Sequence, residues 1–71
     1  MTDVFHFVVK FPRDGMPAEL MPYEWISLLN ARGYAINLAG YEIEEGCGFS
    51  AYEIFEGTKA EAEAYVADYN R

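Results

Sequence analysis

The 71 residues carry twelve acidic side chains against five basic ones, a formal net charge of −7, and 52% of them are apolar, six Tyr, five Phe and one Trp among them. A chain this short buries about 60% of the surface its unfolded form exposes, which suffices for one domain spanning 1–71 and leaves a thin margin of stability. The aromatic content argues against a disordered segment, and the negative charge argues against direct contact with phosphate backbones or anionic membranes. No run approaches the roughly 20 apolar residues of a membrane span, and nothing in the N-terminal residues reads as a signal peptide, so a cytoplasmic location is expected. The lone Cys47 has no second Cys for a disulfide or a zinc pattern, which fits a reducing compartment.

Residues 4–11 alternate cleanly. Phe5, Phe7, Val9 and Phe11 fall on one side of a predicted strand and Val4, His6, Val8 and Lys10 on the other, with the phenylalanine side expected to face the core. Residues 12–20, with Asp14-Gly15 and Pro17, read as a long loop whose Met16, Leu20 and Met21 are apolar enough to fold back over the domain. Pro22 at a first helical position, then Trp25, Leu28 and Leu29, predict a helix over 22–32 that stops at Asn30 to Gly33.

Residues 34–45 read as a second strand. Ile36 and Leu38 share one face, Tyr41 and Ile43 the other, and Gly40 offers a bulge that reconciles them. Residues 45–48, Glu-Gly-Cys-Gly, then form a tight hairpin connection to a third strand over 49–56, whose core face is either Tyr52 and Ile54 or Phe49, Ala51 and Phe55. Thr58 followed three residues later by Glu61 is a capping box that starts a last helix near Lys59, with Ala62, Tyr65, Val66 and Tyr69 on its inward stripe.

The expected order is therefore β-α-β-β-α: an α+β domain with a three-stranded antiparallel sheet in strand order 1-3-2 and both helices on one face, a truncated ferredoxin-like arrangement. Parallel pairing of the first two strands is the alternative. In the truncated version the first strand keeps an open edge, a ready site for strand addition by a second copy or a partner.

Candidate chemistry is sparse, and no catalytic residue, metal site or cofactor is expected. His6, the only histidine, lacks a nearby Cys or second His and reads as an exposed or partly covered sheet residue. Cys47 sits beside Glu44 and Glu45, which oppose the thiolate that a nucleophile needs. Glu42, Glu44 and Glu45 do not match the spacing of a calcium loop, and Gly46 and Gly48 have no basic residue beside them to hold a phosphate. Trp25 reads as packing, whereas Tyr23, Tyr34, Tyr41 and Tyr69 lie near element ends where a half-exposed ring can anchor an interface.

Charge is lopsided. Residues 40–71 hold eight acids, Glu42, Glu44, Glu45, Glu53, Glu56, Glu61, Glu63 and Asp68, against Lys59 and Arg71. These carboxylates with Tyr41 form the expected protein-binding set, and a basic protein or nucleoprotein complex is the expected partner; a surface that only confers solubility is the plain alternative. In size, charge and this set of carboxylates the chain resembles the small acidic inhibitors of bacteriophages and mobile elements, anti-CRISPR proteins in particular. That resemblance implies an inhibitor that occupies a basic, nucleic-acid-handling surface, with nucleic-acid mimicry as one means. A self-associating structural or regulatory module, a homodimer through a strand edge, is the second expectation.

Overall fold

The computed structural model describes residues 4–12, 15–44 and 50–71, with the side chains of residues 43 and 44 excepted. Its elements run β1 (Phe5–Phe11), β2 (Glu19–Leu20), α1 (Leu28–Glu44), β3 (Ala51–Gly57) and α2 (Lys59–Tyr69). They make a small α+β arrangement of a three-stranded antiparallel sheet and two helices, in the element order β-β-α-β-α.

β1 is the central strand. It pairs with β3 along its whole length, from Phe5 opposite Gly57 to Phe11 opposite Ala51. Its other edge is taken by β2, with Val9 opposite Leu20, and the Met21 amide donates to the Val8 carbonyl at 2.9 Å. In that register His6 would meet residue 23. It instead exchanges two hydrogen bonds with Trp25, two residues further on, so the chain bulges between Met21 and Trp25. The first strand therefore has no open edge, contrary to the sequence expectation; the segment expected to begin a helix at Pro22 fills it.

The helices lie on opposite faces, not on one. Successive side chains of a strand point to opposite sides. Phe55, directly across from Phe7, stacks on Tyr65 of α2 with ring centroids 5.0 Å apart, and Phe11 meets Tyr69 of α2 edge-on at 4.7 Å. Ile54 and Tyr52, one position out of phase, line a groove with Arg32, Ala35, Ile36 and Ala39 of α1. Among the described residues the two helices do not touch each other; α2 spans all three strands, while α1 crosses only β1 and β3. Covering on both sides explains why the consecutive residues Phe7, Val8 and Val9 are all buried, and why either core face of the third strand looked equally apt.

The largest departure from expectation is α1. Residues 34–44 continue a helix that starts after Ser27, whose carbonyl accepts from the Ala31 amide at 3.1 Å and whose hydroxyl accepts from the Asn30 amide at 3.4 Å. The strand expected over 34–45 is helix as far as Glu44, and β3 pairs with β1. The inward stripe is Ala31, Tyr34, Ala35, Leu38, Ala39 and Glu42, spaced by three and four, and its alanines let the helix lie close to the sheet. Gly33 and Gly40 cost this helix about 0.5–1 kcal/mol each relative to alanine, and neither stops it. The hairpin connection at 45–48, Cys47 and Phe49 lie outside the described residues.

α2 follows expectation closely. The Glu61 amide donates to Thr58 Oγ1 at 3.2 Å and the Thr58 amide to Glu61 Oε1 at 2.9 Å, a complete capping box. Its far end is tied to the loop before β2: the Ala18 amide donates to Asn70 Oδ1 at 2.8 Å and Asn70 Nδ2 to the Ala18 carbonyl at 2.9 Å. The loop thus meets the end of α2 through Ala18, while Met16, expected to fold back, is 61% exposed.

Candidate interaction surface

The acidic residues do not share one face. Glu42 lies on α1 and Glu56 on the α1 side of the sheet, whereas Glu53 is on the opposite side and Glu61, Glu63 and Asp68 are on α2. Several are engaged within the fold. Glu42 accepts from the Tyr52 hydroxyl and, at 3.1 Å, from the buried Ser50 hydroxyl, tying the end of α1 to the start of β3. The Tyr52 hydrogen bond, aided by Ser50 and Lys10, holds the Glu42 carboxyl below its ordinary range. Burial, and then the Glu42 carboxylate beside it, pushes the Tyr52 phenol far up.

Glu53 accepts from the Tyr65 hydroxyl at 2.7 Å, which raises the Tyr65 pKa. Glu61 is committed to the cap, and its bonds from Thr58 lower its own pKa. Asp68 faces Arg71 at 3.2 Å in an ion pair exposed enough to contribute little. Glu56 and Glu63 are exposed with no hydrogen-bond or ion-pair partner among the described residues. The Glu44 side chain and all of Glu45 lie outside the description.

Tyr41 belongs to a different surface. It is 64% exposed but lies about a third of a turn around α1 from the line of Leu29 at 76% and Ile36 at 70%, on the flank beside Tyr34. Within α1, Leu29, Gly33, Ile36 and Gly40 recur at spacings of three and four, the pattern of a helix seam that packs on another helix. From Ile26 to Tyr41 the only charged residue is Arg32, so the most acidic of backgrounds is interrupted by one nearly neutral, apolar strip. Sequence reasoning missed it because residues 34–45 were assigned the two-residue period of a strand; the seam becomes visible once the stretch is read as helix.

Among the described residues the strip adjoins a sheet edge, that of β3, which no other strand takes. His6 and Val8 direct their backbone bonds toward the β2 side, so Phe5, Phe7, Val9 and Phe11 bond to β3. Their partners Gly57, Phe55, Glu53 and Ala51 are satisfied, and the N–H and C=O groups of Tyr52, Ile54 and Glu56 point outward from the edge. Beside that edge runs a groove of about 360 Å³ between β3 and α1, lined by Arg32, Ala35, Ile36, Ala39, Tyr52 and Ile54.

An aromatic cluster closes the other end of the α1 interface. Tyr34 meets Tyr23 and Trp25, each with centroids 5.3 Å away. Burial, with Tyr23 beside it, raises the Tyr34 pKa. His6 is partly covered there, and its Nδ1 and the Trp25 Nε1 are buried without a hydrogen-bond partner among the described residues. Among the described residues no helix is long and apolar enough to cross a membrane, and no three His, Cys, Asp or Glu side chains converge as a metal site would need. Compared with family profiles, curated proteins and solved structures, the chain finds no match.

Proposed function

We propose that this protein is a non-catalytic binding domain whose acid-rich β3–α2 half engages a basic protein surface, of the kind that handles nucleic acid, and blocks it. The observation that carries this reading is the charge of that half: Glu53, Glu56, Glu61, Glu63 and Asp68 against Lys59 alone between residues 51 and 69. Such a field speeds encounter with basic surfaces and repels nucleic acid itself. Glu63 is the contact with greatest freedom, since it is exposed on α2 and uncommitted among the described residues. Glu42, Glu61 and Asp68 contribute to the field while serving the fold.

The test is affinity for a basic, nucleic-acid-binding protein recovered with this chain as bait, measured against salt. Binding should weaken as salt rises, and the double variant Glu63→Lys, Asp68→Lys, both on α2, should lower affinity and flatten the salt dependence. Affinity that is indifferent to salt and to both reversals would defeat the reading.

A further inference from the structure

The edge of β3 that no described strand takes and the apolar strip of α1 lie side by side, and we infer that together they form a self-complementary surface for a second copy of this chain. In the pairing β3 meets the other β3 antiparallel about a two-fold axis at Ile54. This register sets Ile54 opposite Ile54 and Tyr52 opposite Glu56, and these are the residues whose backbone groups point outward, so each facing pair exchanges two hydrogen bonds. On the other face Glu53 falls opposite Phe55. No carboxylate lies directly opposite a carboxylate, the two Glu53 being only diagonal neighbours, which favours self-pairing of a strand from a chain of charge −7.

The helices fit the same axis. α1 packs across β1 and β3 and not β2, so its axis lies about half a strand spacing inside β3. The two-fold then sets the two α1 axes about two strand spacings apart, roughly 9.6 Å, within the 8–10 Å at which helices pack. Ile36, which lines the groove beside Tyr52 and Ile54, comes to the axis, and the antiparallel helices bring Arg32 of each copy toward the Gly40 and Glu42 end of the other. That is a favourable charge placement, and the missing side chain of Gly40 leaves room for it. The acidic α2 sides stay on the opposite face of the sheet, where they remain free.

Sedimentation equilibrium of the full chain at low and high salt tests this. The expected mass is about twice the 8.1 kDa of the chain, with dimerisation strengthened by salt because screening relieves the repulsion between two acidic copies. Association with a basic partner responds to salt with the opposite sign, so the two readings fail separately. Ile36→Lys changes an exposed side chain, and Glu56→Pro removes an outward N–H that no strand of the same copy uses. Both should give 8.1 kDa monomers with unchanged circular dichroism. If Glu56→Pro does not fold, Ile36→Lys carries the test alone. A wild-type monomer at every concentration and salt, or a dimer that survives in either folded variant, overturns the inference.

Discussion

The two helices cover the same sheet from opposite sides and are built differently. α2 begins with a capping box, turns Ala62, Tyr65 and Val66 inward and shows solvent a row of carboxylates. α1 has no acid in its first turn and no base in its last, contains two glycines, turns small alanines inward and shows solvent Leu29, Ile36 and Tyr41. α2 is finished as a surface. α1 carries large apolar residues, Leu29 and Ile36, on the side away from the sheet as well, which is the construction of a helix with a second neighbour. Stability in the isolated chain should therefore depend heavily on the residues between the helices and lightly on the outer side of α1.

The largest expected effects lie in β1, where both helices converge. Phe7→Ala, on the α2 side, should cost about 3–5 kcal/mol, a large part of the 5–15 kcal/mol available to a small domain. Val8→Ala, on the α1 side, should cost about 2 kcal/mol in chemical denaturation. A neutral Val8→Ala would mean that α1 does not cover that face.

The caps and glycines sharpen the contrast at about 1 kcal/mol. Thr58→Ala removes the box at the start of α2 and should destabilise by about 1 kcal/mol. Gly33→Ala should do the reverse and stabilise by about 0.5–1 kcal/mol, since an added Cβ there meets no atom within 4 Å. Thermal unfolding of the two variants should move in opposite directions.

Smaller effects follow pH. Glu42 and Glu61 have pKa values below the ordinary 4.5, so their contribution is present above that value and is lost as pH falls through the lowered pKa values of the folded state. Tyr34, Tyr52 and Tyr65 are raised above 10.0, so what they contribute is present below pH 10 and is lost as pH rises beyond it. A stability profile should fall at both ends, and Glu42→Gln should soften both limbs, because it removes one member of the Tyr52 pair.

Much of this was legible residue by residue. The alternation of Phe5 to Phe11, the return strand near 51–57, their antiparallel pairing and the Thr58–Glu61 box all follow from local chemistry that the tertiary structure keeps. Between Pro22 and Glu44 the expected helix is present from Leu28 on, but its start and its extent to Glu44 were misread because local signals there compete with tertiary ones. Pro22 and Trp25 suit a helix start but are used to close the β1 edge, and Gly33 and Gly40 suit stops but are carried within a helix held by the sheet. The helices were expected on one face because only the phenylalanine side of β1 was counted as core, although Val8 on the other side is equally buried. The carboxylates were legible as a charge; that Glu42, Glu53 and Glu61 are hydrogen-bonded within the fold depends on partners brought together only by folding.

The most direct test of the completed sheet is amide hydrogen exchange along β3 at two protein concentrations. The Glu53 and Phe55 amides, bonded to β1, should be protected at both. Those of Tyr52, Ile54 and Glu56 should exchange freely in dilute protein and become protected as concentration rises and the second copy pairs with the edge. Equal exchange of these three amides at both concentrations would contradict the account.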